Sequence, residues 1–411
     1  MAHPSGGYSP TSTSSEHGTL EDTVIQRSSA EELARITKKA DAIRRACDLR
    51  DLDALISHAS SNGGFLCDEL RRLAWPILLQ YDDHGDADVL RPEHSMPPHG
   101  DEEQVKLDVN RSFVYYPDCS DKELLLKKDE LLRVIKRVLR NYPMLCYFQG
   151  YHDIVQVLLL VLGENDSAPA VAKLSLLRIR DYMLPSLSPS LKHLQLIPTI
   201  IKMADKALSR HISGAEPFFA LSATLTLYAH DIQGYRDVAR LFDFLLAWEP
   251  VVSIYFFAAV VLSRRKELFE ISSDEPEILH STLSKLPTPL DLESLISQTV
   301  RLFHDYPPES LPTGIWRKIP RYSVLKTSRD VFKKHSTKTA LELFYQQTQQ
   351  LRREERKEQF IKLLWNHRRT IGSIAVAAFI GAISIWIRKR GLDNSIFSYM
   401  DQFRTAFGGR L

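Results

Sequence analysis

Cysteine is scarce in this chain: four residues in 411 (Cys47, Cys67, Cys119 and Cys146), with no CxxC pair. That excludes a disulfide scaffold and a paired-cysteine zinc site, and the thiols read as reduced groups of a reducing compartment. Short catalytic signatures are missing as well, with no GxxxxGK[ST], no GxSxG and no HExxH. The chain therefore has no P-loop for a nucleotide, no nucleophile elbow and no zincin helix. His84, His94 and His99 fall in one loop, but their spacing matches no metal pattern, so no metal ligand is assigned. An excess of one charge is also lacking. Lys+Arg is 53 against Asp+Glu 51, a net charge of +2, which argues against a nucleic-acid partner. The first residues lack the apolar core of a secretory signal peptide, and only Arg27 is basic before Arg35, too little for a mitochondrial presequence.

What is present is an apolar fraction of 44 % with 25 % charged residues, enough for a substantial core. Residues 1–28, rich in Ser, Thr, Gly, Pro and His, cannot bury enough surface to offset their ordering entropy and read as a disordered arm. From Ser29 the pattern turns helical. Ser29 with Glu32, and Ser120 with Glu123, fit capping boxes. Leu66, Leu70, Leu73 and Ile77 form one face of a helix expected over 66–79, and residues 82–104 read as a loop. The helix after Ser120 carries Leu124, Leu131, Ile135 and Val138 along one stripe and stops before Pro143. Tyr151–Leu162 is nearly all apolar and ends at Gly163. Further helices are expected at about 170–184, 191–212, 216–230, 235–248, 251–270 and 291–304. There is no sustained period-2 alternation, so residues 29–306 read as one all-α domain. Four prolines make 307–336 a linker, and a charged helix is expected over 337–367.

Residues 371–387 carry no charge over 17 positions. As a helix they span about 26 Å, close to the roughly 27 Å hydrocarbon thickness of the endoplasmic reticulum. Arg368 and Arg369 close one end and Arg388, Lys389 and Arg390 the other, with Trp365 and Trp386 at interfacial positions. A buried core helix is the competing reading. With the 24 residues 388–411 after it, the segment reads as a single-span tail anchor inserted after translation. Seven basic residues on its N-terminal flank against four on the other put the body in the cytosol. Ser373, Ala377 and Gly381 recur every fourth residue and allow weak self-association in lipid. The mitochondrial outer membrane is the alternative location.

Three stretches stand out: Leu70-Arg71-Arg72-Leu73-Ala74-Trp75, Val105-Lys106-Leu107-Asp108-Val109-Asn110-Arg111, and Tyr147-Phe148-Gln149-Gly150-Tyr151-His152-Asp153. By themselves they have plain readings. Arg111 could pair with Asp108 at i,i+3, Gly150 could serve its turn, and Trp75 could be core with Arg71 pairing near it. In this order, however, they resemble the TBC domain (Tre-2/Bub2/Cdc16), the GTPase-activating module for Rab proteins. Its signatures are R-x-x-x-W, I-x-x-D-x-x-R and Y-x-Q-G. Arg240-Leu241-Phe242-Asp243 resembles the later R-x-W/F-D motif, and Val105 and Phe148 are small departures from the pattern. The segments 148–155, 254–260 and 306–309 are similar to members anchored in the endoplasmic reticulum.

The resemblance implies a GTP-bound Rab as partner. It makes Arg111 an arginine finger and Gln149 a second finger that replaces the GTPase's own glutamine, with Asp108, Tyr147, Gly150, Arg71 and Trp75 supporting the finger loops. It implies no cofactor of the chain's own, because GTP and Mg²⁺ travel with the Rab, and a role in endoplasmic-reticulum-to-Golgi traffic. A Rab-binding scaffold without catalysis and a tail-anchored adaptor are the rival functions.

Overall fold

The computed structural model describes residues 19–81 and 90–366, and every element it assigns there is helical. The segment 371–387, its small-residue repeat, the tail 388–411 and His84 lie outside the described residues. The chain forms two compact units, one ending at Gln347 and one beginning at Thr348.

The first unit opens with α1 (Thr19–Leu49), α2 (Leu52–Ser60) and α3 (Asp68–Leu78). The backbone is already helical across Ser29, so the capping pair expected there does not start the helix, and part of the expected arm belongs to α1. α3 begins at Asp68 because Leu66 sits at φ +69°, a left-handed conformation that cannot enter a helix. Its buried face also differs from the expected one. Leu73 is exposed, whereas Leu70, Arg71, Ala74, Trp75 and Leu78 point inward. The face is rotated because two polar groups, the Arg71 guanidinium and the Trp75 indole N–H, find their partner in the interior.

α4 (Glu102–Asn110), α5 (Asp121–Asn141) and α6 (Tyr151–Leu177) follow. α5 starts where the sequence places it: Ser120 Oγ accepts from the Glu123 backbone and the Glu123 carboxylate accepts from the Ser120 N–H. Leu131, Val134, Ile135, Val138 and Leu139 are buried along one stripe, and this face packs on α6. Fully burying such side chains stabilises by about 1.5–3 kcal/mol each. Gly163 interrupts α6 at φ +79°, ψ 171°, so the expected stop is a kink between two helical halves. Among the described residues α6 is the one helix long and apolar enough to cross a membrane, but 67 % of its apolar window is buried in the fold.

The helix expected over 191–212 is three shorter ones: α7 (Ser188–Leu194), α8 (Leu196–Ala204) and α9 (Lys206–His211). Asp205 leaves the helical region and re-caps the chain by accepting from the Ala207 and Leu208 N–H groups. The 216–230 expectation likewise shortens to α10 (Leu221–Leu225), because Leu227 and Tyr228 both take positive φ. α11 (Tyr235–Ala247), α12 (Val252–Ser263), α13 (Arg265–Glu270), α14 (Pro276–Leu283) and α15 (Leu292–Asp305) complete the body. α12 is buried on every side from Val252 to Val261 and packs against α8 and α15.

Residues 307–336 are not a free linker. They fold into short turns with α16 (Ile315–Lys318) and α17 (Val324–Thr327), and Leu311, Ile319, Ser323, Val324 and Leu325 are buried. Each proline starts or ends a turn, which leaves the residues between them free to pack. Arg329 pairs with both Glu249 and Glu309 and fastens this strap. α18 (Thr337–Asn366) then begins within the first unit, where Ala340, Phe344 and Gln347 are buried. In the second unit its charged residues Arg352, Arg353, Glu355 and Arg356 are exposed, as a solvated helix face requires.

Candidate functional site

Arg111 stands at the C-terminal end of α4, in a non-helical conformation that ends the helix. Its side chain is 55 % exposed, and one nitrogen, Nη2, donates to Asp108 Oδ1 at 2.7 Å. Asp108 is fully buried one turn earlier. It also accepts from Gln104 Nε2 (3.0 Å) and from the Tyr147 hydroxyl (2.8 Å). The loop beyond Arg111 is tied down by further bonds. Lys128 Nζ donates to the Asn110 carbonyl (2.6 Å), and the Phe113 N–H donates to Oε1 of the buried Gln156 on α6 (3.0 Å). Val114 and Tyr115 next to it remain exposed.

Gln149 lies in the turn between α5 and α6. The turn is built from its neighbours: Cys146 N–H donates to the Met183 carbonyl (2.9 Å), Tyr147 N–H to Asp101 Oδ2 (2.9 Å), and the Phe148 ring packs edge-on to Tyr151 and Tyr182. Gly150 has φ +99°, and a Cβ there would lie 2.5 Å from Thr226 Cγ2. Only glycine meets both conditions at low cost. The neighbours thus face inward while Gln149 is exposed, and among the described residues its amide has no hydrogen-bond partner.

One carboxylate therefore joins the two loops. Asp108 holds Arg111 through one oxygen and Tyr147, two residues before Gln149, through the other. His152 is buried behind them, with Nδ1 3.2 Å from the Tyr147 hydroxyl and Nε2 3.2 Å from Asp153 Oδ1. Burial pushes the His152 pKa down, and burial together with the bond to Asp108 pushes the Tyr147 hydroxyl up. The exposed His230 is pushed up by its hydrogen bond to Asp153 (3.0 Å). α4 is fixed at its other end by Glu102, which takes a forked pair of bonds from Arg140 (2.6 and 2.8 Å); these hold its carboxyl down at about 2.

Arg71 and Trp75 lie elsewhere. Asp243, fully buried on α11, accepts from Arg71 Nε (2.9 Å) and Nη2 (3.1 Å), from Trp75 Nε1 (2.9 Å) and from the Phe65 N–H (3.0 Å). Burial opposes the charge on Arg71, but Asp243 and Asp68 together hold its pKa above the ordinary value. Arg240, one turn before Asp243, forks onto Glu293 (2.7 and 2.9 Å) and donates to the Ala59 and Ser61 carbonyls. Among the described residues neither Arg71 nor Trp75 bonds to the loops of Arg111 and Gln149. From Arg71 a chain of contacts leads through Asp68 (2.8 Å) to the Tyr235 hydroxyl (2.6 Å), whose ring packs 5.6 Å from Tyr116 in the loop after Arg111. The roles of Gln156, Thr226 and Met183 had no local signal; each touches the site from far along the chain. Among the described residues no group of His, Cys, Asp and Glu is arranged to hold a metal ion.

Residues 68–269, which include all of these motif residues, match the Rab-GTPase-TBC domain model. The chain is 36 % identical over 309 residues to the GTPase-activating protein gyp10 of Schizosaccharomyces pombe, covering 74 % of this chain and 82 % of that one. It is 37 % identical over 283 residues to TBC1 domain family member 20 of Homo sapiens, covering 68 % and 70 % respectively. The crystal structure of the Ypt/Rab-GAP domain of Gyp1p is similar in fold, with a TM-score of 0.51 at 15 % identity over 62 % of this chain and 94 % of that one. On sequence and fold together, this chain belongs to the Rab-GTPase-TBC domain family.

Proposed function

We propose that this protein accelerates GTP hydrolysis on a Rab GTPase by inserting Arg111 and Gln149 into the partner's nucleotide site. Hydrolysis is slow without help because charge builds on the phosphate oxygens and the attacking water is poorly held. A guanidinium has five N–H donors in a rigid fork. Asp108 engages only Nη2 of Arg111, so the exposed remainder is free to meet phosphate oxygen. The Gln149 amide can both donate to and accept from a water molecule, and its turn is held from behind. Positioning of this kind lowers the barrier because the donors do not reorganise during reaction. GTP and Mg²⁺ belong to the Rab, and Val114 and Tyr115 give it apolar surface beside the finger.

The observation that carries this reading is the shared anchor: Asp108 ties an exposed arginine to the turn bearing an exposed, unpartnered glutamine. Single-turnover GTP hydrolysis by a panel of Rabs tests it. Acceleration by the wild type, with loss in both Arg111→Ala and Gln149→Ala, is expected. Full activity in both variants overturns the mechanism, and Rab binding without acceleration makes the protein a scaffold.

We further propose that residues 371–387 anchor the protein in the endoplasmic reticulum membrane with the helical body in the cytosol, and that it acts in endoplasmic-reticulum-to-Golgi traffic. The uncharged span, its length and its basic flanks support this. A reporter carrying residues 357–411 is expected at the endoplasmic reticulum, and a mitochondrial pattern overturns the assignment.

A further inference from the structure

The turn Arg180–Met183 faces two ways. On one side it carries the Gln149 loop: the Met183 carbonyl accepts from the Cys146 N–H (2.9 Å), and the Tyr182 ring lies 6.1 Å from the Phe148 ring. On the other side Arg180 and Asp181, both fully buried, meet α18. Gln347 Oε1 accepts from Arg180 Nε (2.7 Å), while Gln347 Nε2 donates to Asp181 Oδ1 (2.6 Å). The strap completes the cluster. Arg180 Nη2 donates to the Tyr322 carbonyl (2.8 Å) and to Thr327 Oγ1 (3.0 Å), and the Val324 N–H donates to Asp181 Oδ1 (3.0 Å). His193 Nε2 lies 2.9 Å from the other Asp181 oxygen.

We propose that Gln347 is a positioning residue for Gln149. Buried charges demand partners, and losing one costs more than an ordinary contact. A single amide satisfies a cation through its oxygen and an anion through its nitrogen, so its plane sets the spacing of Arg180 and Asp181. Without it the Arg180 Nε–H and one acceptor site of Asp181 are stranded on two fully buried side chains, and the turn must shift to recover them. The shift moves the Met183 carbonyl and the Tyr182 ring, on which Cys146 and Phe148 rest. Arg111 is reached from this loop through the Tyr147–Asp108 bond, but Asp108 and its further partner Gln104 both sit on α4, so the shift falls chiefly on Gln149. Residues well outside the 68–269 family match thus hold one of the two fingers in place.

This inference rests on the proposed role of Gln149, and its test separates the two. Maximal single-turnover rates are measured at saturating full-length protein for the wild type, Gln347→Met, Gln149→Ala, Arg111→Ala and the two double variants with Gln347→Met. Gln347→Met is expected to lower the maximal rate on the order of tenfold to a hundredfold, the scale of a finger misplaced by about 1 Å. The concentration giving half-maximal rate should change little. In the Gln149→Ala background Gln347→Met should have almost no further effect, while in Arg111→Ala its full factor should remain. The same factor in all three backgrounds would mean a general loss of fold and overturns the proposal. If Gln149→Ala alone is silent, the proposed role of Gln149 fails instead. Should Gln347→Met not fold, Thr327→Val, which removes a hydroxyl that accepts from Arg180 and donates to the Ser323 carbonyl, takes its place with the same expected pattern.

Discussion

The motif residues of this chain occupy two regions with opposite surroundings. Arg71, Trp75, Arg240 and Asp243 are buried, and every polar group named there is consumed by a partner within the chain. Arg111 and Gln149 are exposed, on loops anchored from behind by buried, bonded residues such as Asp108 and Gly150, and they keep donors and acceptors unspent. The difference separates two jobs. A buried charge must be matched internally or it destabilises the fold, so the first region can hold the helices together but cannot reach a partner. An exposed side chain on a fixed base contributes little to stability and can act outside the molecule.

Arg111→Ala should break the comparison most visibly. We expect its maximal GTPase-activating rate to fall by about 10³–10⁵, as the proposed finger role requires, while unfolding free energy falls by only about 1–2 kcal/mol, because buried Asp108 loses its cation but keeps the Gln104 and Tyr147 donors. A matching loss of stability would erase the distinction. Asp243→Ala should do the reverse, destabilising by about 3–5 kcal/mol because the Arg71 charge is left buried without its main partner. Denaturant titration measures this, and a stable, folded Asp243→Ala protein would show that the node is dispensable.

Gly150→Ala probes the boundary between the regions. Its backbone strain costs about 1–3 kcal/mol, and its Cβ would press on Thr226 Cγ2. We expect activity to fall further than stability, and Thr226→Ser in the same chain to recover part of the activity by removing that methyl. No recovery would mean that the close approach does not position Gln149. The smallest effect concerns pH. The Glu102 carboxyl titrates near 2 in the folded chain, against about 4.5 when unfolded. Its stabilisation is therefore present above about pH 4.5 and is lost as pH falls toward 2. Glu102→Gln should flatten stability across that window by about 1–2 kcal/mol, as read from acid titration of the melting temperature. An unchanged acid limb would remove Glu102 as the clamp on α4.

Legibility followed the range of the interaction. The Ser120–Glu123 capping box and the break at Gly163 could be read directly, because each depends on residues within a turn or two. The exposed face of α3, the broken helices between 188 and 230 and the packed strap 307–336 could not. Arg71 turns inward only because Asp243, 172 positions away, is there to receive it. The roles proposed for Arg111 and Gln149 rest on resemblance, and no local pattern shows that Asp108 reaches Tyr147.

By itself, then, the amino-acid order settled the helical class, the limits of the best-capped helices and the identity of the motif residues, since propensity, capping and apolar period act over one to four residues. Only the tertiary structure decided which motif side chains are spent on the interior and which face outward. Desolvating a charge is tolerable only where distant segments bring it donors or acceptors, and that meeting is a property of the packed chain.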